Sequence, residues 1–207
     1  MGVMDEKTPS YNRPMPFDRI AMIARWKPVH LGQAAVLRAM CNGAGHVSIG
    51  VGSSNRYNLR NPFTFEETES MLRLVLAGLD TAAENTPPTR PAKNYEIIPV
   101  PDLDDGPRWR AMVKEMFGDL DAFVTDNPYV ANLMKDDYRL MRPVDWLPPS
   151  EHIRIDGTTV RGMMAKGERW QDWVPERAAQ YIEENKLDER FRREFGLETL
   201  AMQSVIK

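Results

Sequence analysis

Short apolar segments of strand-like and helix-like periodicity alternate along this chain, and this alternation limits its fold more than any other feature. Strands are predicted at residues 19–24, 47–51, 95–100, 122–125 and 138–141. Helices are predicted at 30–41, from residue 64 onward, and at 109–117, 128–134, 158–166, 174–185 and 187–195. Parallel strands require crossover helices of this kind. The pattern therefore predicts an α/β fold, a Rossmann-like doubly wound parallel sheet whose ligands bind at the carboxyl ends of the strands.

The predicted organisation is one large domain with a short addition at each end. A chain of 207 residues with 42% apolar residues can bury one sizeable core. Residues 1–18 are rich in proline and polar residues and are expected to form a flexible arm, and the proline-bearing stretch 81–94 a loop. The main domain is predicted at 19–186, followed by a C-terminal helical extension at 187–207.

Charge and cysteine content exclude several classes of protein. A net charge of −3 argues against broad binding to nucleic acid or anionic membranes, which usually requires a basic face. Cys41 is the single cysteine, so no intramolecular disulfide can form. No apolar run reaches membrane-spanning length, and the N-terminus has no apolar signal core. We therefore expect a soluble, cytoplasmic protein that recognises phosphate only locally.

The segment after the first predicted strand carries the strongest functional signal. Arg25, Lys27 and His30 lie in a turn that also contains Pro28 and leads into a predicted helix. The free N–H groups of a helix N-terminus bind anions, and arginine, lysine and histidine side chains add donors and positive charge. This arrangement favours a nucleotide site.

The same segment resembles the (G)RxxPxHxGH turn of the nucleotidylyltransferase superfamily, and it is nearest to the archaeal-type nicotinamide mononucleotide (NMN) adenylyltransferases. Further matches follow in the family's order, so that the resemblance covers roughly residues 19–185. They are Ile49-Gly-Val-Gly-Ser53, Asn61-Pro-Phe-Thr64 with Glu67, Ile97-Ile-Pro-Val-Pro-Asp102, Trp109, Asn127-Pro128, Gly157-Thr158 with Arg161, and Trp170 through Glu176.

The resemblance implies an enzyme that transfers AMP from ATP to NMN and releases pyrophosphate, with Mg²⁺ bridging the triphosphate and few protein ligands on the metal. It also implies small-molecule partners, ATP and NMN or another phosphorylated acceptor, and a homo-oligomer. Trp109 is expected to stack on the nicotinamide ring. The implied catalytic residues are Arg25, His30, Gln33 and Arg161, and the implied nucleotide-binding residues are Lys27, Gly32, Gly52, Ser53, Trp109, Asn127, Gly157 and Thr158.

The chain departs from the family pattern at several positions. Gln33 replaces the second histidine of HxGH and can never be cationic. Asp156 stands where the family usually has serine, and a carboxylate beside phosphate is unfavourable unless it pairs with Arg154 or Arg161 or touches the metal. Thr158 and Thr159 are predicted to cap the helix that follows. Gly106 or a neighbour replaces a polar residue that meets the nicotinamide amide.

These departures leave two alternatives to NMN adenylyl transfer. One is a related transferase that uses CTP or a different phosphorylated acceptor. The other is a nucleotide-binding relative whose catalysis is weakened or absent.

Overall fold

A central parallel sheet organises the protein. The computed structural model describes residues 17–81 and 94–205. Five strands lie in the order β3-β2-β1-β4-β5, and every neighbouring pair is parallel. They are β1 (Phe17–Ala24), β2 (Ala44–Gly52), β3 (Tyr95–Val100), β4 (Ala122–Val124) and β5 (Leu140–Met141). The predicted fold class is confirmed.

In the described part of the chain, seven α-helices surround the sheet. They are α1 (Leu31–Gly43), α2 (Phe65–Thr81), α3 (Gly106–Phe117), α4 (Pro128–Met134), α5 (Gly157–Lys166), α6 (Glu176–Glu184) and α7 (Leu187–Val205). Short 3₁₀ turns lie at Pro143–Trp146, Pro149–Glu151 and Gln171–Trp173. None of the helices within 17–81 and 94–205 has the length and apolarity that crossing a bilayer requires.

Both faces of the sheet are covered, because successive side chains of a strand point to opposite faces. On β1, Ile20 and Met22 belong to a large apolar cluster that also contains residues of α1, α2, α5, α6 and α7. Ala21, between them, belongs to a smaller cluster built with α3 and α4, which includes Val113 and Phe117. The central strand is therefore apolar on both sides, as a buried parallel strand should be.

The strand order reverses beside β1. The chain passes from β1 to β2 and β3 on one side, and then returns to place β4 on the other side. The loops that leave β1 and β4 therefore diverge and open a crevice at the carboxyl ends of these strands. This crevice is where the sequence predicts that a ligand binds.

The helix predicted at 187–195 is longer than expected, since α7 continues to Val205. Thr199 in this extra length is buried, and Leu200 packs against the large cluster. Gly162 of α5 lies directly under Gln203, and a Cβ atom at this glycine would stand 2.1 Å from the Gln203 amide nitrogen. Packing against α5 therefore sustains the helix beyond Gly196, which on propensity alone is an unfavourable residue.

Strand boundaries also differ from the prediction. β1 begins at Phe17, two residues earlier than expected, because Phe17 already pairs with Ala44 of β2. Residues 1–16 of the predicted arm and 82–93 of the predicted loop lie outside the described residues. β5 begins only at Leu140, since Tyr138 stacks on Phe123 and donates a hydrogen bond to the Gly118 carbonyl at 2.8 Å instead of pairing along a strand.

Candidate active site

A cavity of about 540 Å³ opens at the carboxyl ends of the strands. Its walls include the residues that directly follow β1, β2, β3 and β4, so it occupies the crevice where the strand order reverses. Its volume lies within the range of small-molecule sites. All predicted site residues except His30 and Gly32 line it: Arg25, Lys27, Gln33, Gly52, Ser53, Trp109, Asn127, Gly157, Thr158 and Arg161.

Trp26 holds the turn after β1 in place. Its side chain is fully buried, and the indole Nε1 donates a hydrogen bond to the Gly50 carbonyl of β2 at 2.9 Å. Its backbone adopts φ 57°, an uncommon conformation for a residue with a large side chain. Because Trp26 is anchored in this way, its neighbours Arg25 and Lys27 are both placed in the cavity wall.

Lys27 is buried, with 2% of its surface exposed, which excludes its interpretation as a solvated loop residue. Its Nζ donates to the Ser53 carbonyl at 3.2 Å. Burial lowers its pKa from 10.5 to about 8, and repulsion from Arg25 acts in the same direction, against attraction by Asp102. The ammonium therefore stands in the cavity wall at a cost in desolvation that no nearby carboxylate offsets.

Arg161 reaches this turn from α5, 134 residues further along the chain. Its Nη1 donates to the Lys27 carbonyl at 2.9 Å, and Nη2 donates to the Thr158 hydroxyl at 3.3 Å. Gly157 makes room for the guanidinium, since a Cβ atom at Gly157 would lie 3.0 Å from Nη1. The first turn of α5 and the turn after β1 are thus joined through one buried arginine.

Within residues 17–81 and 94–205, neither Lys27 nor Arg161 forms an ion pair with a carboxylate. Burial lowers the pKa of Arg161 to about 10, and repulsion from Arg25 and Arg60 acts in the same direction, against attraction by Asp156. Like charges therefore converge on one wall of the cavity. Buried charges are normally paired, so this wall is suited to a ligand that brings several negative charges.

His30 and Gly32 lie behind the cavity wall and not in it. The His30 Nδ1 accepts a hydrogen bond from the Gln33 backbone N–H at 3.3 Å. In return, the Gln33 Oε1 accepts one from the His30 backbone N–H at 3.4 Å. This reciprocal pair caps α1. Gly32 allows the segment around Ile153 to approach, because a Cβ atom would lie 3.0 Å from the Ile153 carbonyl oxygen.

The capping bond determines the protonation of His30. Since Nδ1 accepts, the neutral ring carries its proton on Nε2. Burial lowers the pKa of His30 to about 4, and the positive charge of Arg161 also lowers it, against attraction by Asp156. His30 is therefore a neutral hydrogen-bond donor at pH 7 in the ligand-free protein.

Among the described residues, Asp156 forms no ion pair with Arg154 or Arg161, although such a pair is one of the ways in which a carboxylate could be accommodated here. The prediction that Thr158 and Thr159 cap α5 is wrong, because Asp156 is the capping residue. Its carboxylate caps α5 by accepting the Thr159 N–H at 2.7 Å. Asn127 caps α4 in the same way, with its Oδ1 at 3.0 Å from the Tyr129 nitrogen. The carboxylate at position 156 thus faces the helix dipole that stabilises it.

The cavity also has acidic and aromatic lining residues. Trp109 of α3 is half-buried there, beside the segment 102–106 that follows β3. Arg56 forms ion pairs with Asp104 and, at 3.7 Å, with Asp102. Further residues line the cavity but are not among the predicted site residues, including Asp102, Asp104, Asp105, Asp126 and Tyr129. Their positions directly after β3 and β4 are the signal that predicts them, because such loops meet at one edge of the sheet.

No group of three or more His, Cys, Asp or Glu side chains that could enclose a metal ion occurs in the described part of the chain. The cavity wall does offer single carboxylates, such as Asp102 and Asp126. Such a set fits Mg²⁺, which takes one or two carboxylates and completes its shell with substrate phosphates and water.

No protein-family model matches the chain. Sequence comparison nevertheless finds similar proteins. Two archaeal proteins named nicotinamide-nucleotide adenylyltransferase are each 32% identical to it. That of Pyrococcus horikoshii aligns over 82% of this chain and 85% of its own length. That of Aeropyrum pernix aligns over 84% of this chain and 96% of its own length.

Solved structures share the fold. A bifunctional NMN adenylyltransferase/ADP-ribose pyrophosphatase from Francisella tularensis, complexed with AMP and a manganese ion, superposes with a TM-score of 0.62 at 14% identity. The match covers 92% of this chain and 56% of that protein, so this chain spans little more than half of it. The Plasmodium falciparum nicotinic acid mononucleotide adenylyltransferase gives a TM-score of 0.52 at 10% identity, over 84% of this chain and 98% of its own. Since the archaeal proteins align over most of both lengths, the chain belongs to the nicotinamide-nucleotide adenylyltransferase family.

Proposed function

We propose that this protein transfers AMP from ATP to nicotinamide mononucleotide and releases pyrophosphate. The observation that carries the proposal is the pair of buried cations, Lys27 and Arg161, that stand without carboxylate partners in a cavity also lined by Trp109. A cavity with a cationic wall and an aromatic wall suits two substrates that both carry phosphate, one of which also presents a flat cationic ring.

The cationic wall holds the phosphates of ATP. Arg161 presents a planar fork of donors, and Lys27 and the exposed Arg25 add charge from the turn after β1. Gly52 and Ser53 at the end of β2, and Gly157 and Thr158 at the start of α5, border the same space. The N-terminus of α5 adds backbone donors and a partial positive charge.

The aromatic wall receives the acceptor. The indole of Trp109 offers a face on which a pyridinium ring can stack, and the neighbouring carboxylates attract its positive charge. Asn127, at the start of α4, lines the cavity next to this region. The phosphate of the acceptor then points towards the cations on the other wall.

The reaction is an in-line displacement at the α-phosphorus of ATP. An oxygen of the NMN phosphate forms the new bond to this phosphorus, the bond from the phosphorus to the bridging oxygen breaks, and pyrophosphate leaves with the electron pair. The protein needs to position the two phosphates and to stabilise the negative charge that moves to the leaving group. Arg161 lines the cavity and donates to phosphate oxygens, and the amide of Gln33 adds a neutral donor. The family resemblance also assigns His30 a role as a hydrogen-bond donor to phosphate, although its ring is not part of the cavity wall.

Bound together with ATP, Mg²⁺ would supply positive charge that offsets the charge of the phosphates. Asp102 and Asp126 are the cavity carboxylates that would hold it, with most of its shell from phosphate and water. Asp156 does not compete for the ion in the ligand-free protein, because its carboxylate caps α5.

The proposal is tested by incubating the protein with Mg²⁺, NMN and each nucleoside triphosphate in turn while pyrophosphate release is followed. Mass spectrometry of the products identifies what is formed. Release with ATP and NMN, together with the mass of the dinucleotide, supports the proposal. Release only with CTP or with another phosphorylated acceptor would indicate a related transferase, and binding of ATP without turnover would indicate a non-catalytic relative.

A further inference from the structure

Lys27 has more hydrogen-bonding capacity than its surroundings use. An ammonium group has three N–H donors. Within the described residues, the only acceptor bonded to the Lys27 Nζ is the Ser53 carbonyl, at 3.2 Å. The side chain is 98% buried, with 2% exposed, and it lines the cavity. A buried ammonium whose remaining donors are not used by the described residues suits an anion that enters the cavity.

The charged and polar groups around Lys27 come from four segments. Arg25, in the same turn, repels the ammonium, and Asp102, after β3, attracts it from beyond ion-pair distance. Arg161 of α5 is bonded to the Lys27 carbonyl and so fixes the backbone from which the side chain extends. The segment after β2 contributes the neutral carbonyl of Ser53. Two cations therefore flank Lys27, and the attraction of one distant carboxylate does not neutralise it.

Gln33 lines the same cavity at the position where the resemblance leads one to expect a second histidine. Its Oε1 is occupied by the His30 N–H at 3.4 Å, and its amide is neutral at every pH. We propose that Lys27 is a catalytic residue of the adenylyl transfer, whose ammonium contacts the phosphates of ATP and carries the positive charge that Gln33 does not supply. This inference rests on the proposed function, because ATP must be the ligand of the cavity.

One consequence is that ATP binding takes up protons. The pKa of Lys27 is lowered to about 8 in the free protein, so at pH 8 about half of the molecules carry a neutral amine. A bound polyanion raises this pKa, and the amine becomes protonated on binding. The phosphates of MgATP are already deprotonated at pH 8, so they do not contribute to the uptake. We expect uptake of about half a proton at pH 8 and almost none at pH 6.5.

The experiment is isothermal titration of the full-length protein with MgATP at pH 8, in buffers of different ionisation enthalpy. The slope of the observed enthalpy against the buffer enthalpy gives the number of protons taken up. Lys27→Gln keeps a donor for the Ser53 carbonyl but removes the charge, and we expect it to raise the dissociation constant about 10- to 100-fold and to abolish the uptake. Lys27→Arg keeps the charge without a titrating group, so it should bind more tightly than Lys27→Gln and take up no proton.

Lys166→Gln is the matched control, because Lys166 is an exposed lysine at the far end of α5 that pairs with Glu168 at 3.8 Å. Lys166→Gln changes the net charge by the same amount as Lys27→Gln. It should leave the affinity for MgATP and the proton uptake as in the unsubstituted protein. Circular dichroism shows whether each variant is folded. Equal affinity and equal uptake in Lys27→Gln and the unsubstituted protein would overturn the role of Lys27 while leaving the proposed function intact. Failure of the unsubstituted protein to bind MgATP would instead overturn the proposed function itself.

Discussion

Arg161→Met tests whether the buried arginine serves a ligand or the fold. The lowering of its pKa to about 10, well below the ordinary value of an arginine, corresponds to about 3 kcal/mol of unfavourable free energy for the charged group. Methionine removes this cost, but it also removes the hydrogen bonds to the Lys27 carbonyl and the Thr158 hydroxyl, which contribute about 1.5–3 kcal/mol. These contributions nearly cancel. We expect the free energy of unfolding without ligand to change by less than about 1 kcal/mol.

Arg190→Met is the matched comparison. Both Nη atoms of Arg190 lie 2.6 Å from Glu67 oxygens, and Nη2 also donates to the Pro62 carbonyl at 3.0 Å. The hydrogen bonds that Arg190 donates to Glu67 raise the pKa of Arg190, the opposite of the change at Arg161. Removing Arg190 leaves the largely buried Glu67 carboxylate unpaired, and we expect a loss of about 2–4 kcal/mol.

The assay is urea unfolding of both variants with and without MgATP. A ligand present at a hundred times its dissociation constant stabilises the folded protein by about 2.7 kcal/mol. Arg161→Met should lose most of this increment, whereas Arg190→Met should keep it despite its lower stability. A ligand increment that survives in Arg161→Met, together with a loss of stability as large as that of Arg190→Met, would refute the reasoning and make Arg161 a structural residue.

Three further predictions concern the remaining parts of the site. His30→Asn keeps an oxygen that can cap α1, so the melting temperature should change little. Because the imidazole is removed, kcat for pyrophosphate release should fall about 100-fold. An unchanged kcat would remove His30 from the mechanism. Because the pKa of His30 is about 4 in the folded protein and 6.5 in the unfolded chain, acidification from pH 6.5 to 4 should lower the free energy of unfolding, and less so in His30→Asn. An NMR midpoint for His30 near 6.5 would contradict the burial of its ring. The nicotinate analogue of NMN should react with kcat/KM about 10-fold lower, because its extra carboxylate meets Asp104 and Asp105, which line the cavity in the segment before Trp109. The Asp104→Asn variant should narrow that difference, and equal kcat/KM values for both acceptors would count against the assigned orientation.

The fold could be predicted from the sequence because its strands are short and apolar and are separated by amphipathic segments. β3 matches its predicted bounds, Tyr95–Val100. The start of α2 follows from a local signal, a capping box in which the Thr64 N–H donates to Glu67 at 2.9 Å and the Glu67 N–H donates to the Thr64 hydroxyl at 3.3 Å. The end of α7 could not be predicted, since local propensity at Gly196 favours termination and only contacts with α5 overrule it.

The site could be predicted only in part. The turn after β1 is local, so its cations follow from the sequence itself, whereas Arg161 joins them from 134 residues away and followed only from the family resemblance. The burial of Lys27 was not predictable, because lysine is rarely buried and the contacts that enclose it come from other segments. Asp156 was expected to need a cationic partner, but the N–H of Thr159 stabilises the carboxylate instead.

Backbone strain and unpaired charge occur around the same cavity. Among the described residues, the non-glycine positions with positive φ are Trp26, Ser53, Asp104 and Lys186, and the first three line the cavity. Such conformations persist only when the surrounding structure enforces them. The Gly50 carbonyl bonded to Trp26 and the Arg56 ion pair at Asp104 supply that enforcement. The stability of the sheet thus maintains a site with an electrostatic cost, and we expect a polyanion that pairs with Lys27 and Arg161 to reduce that cost.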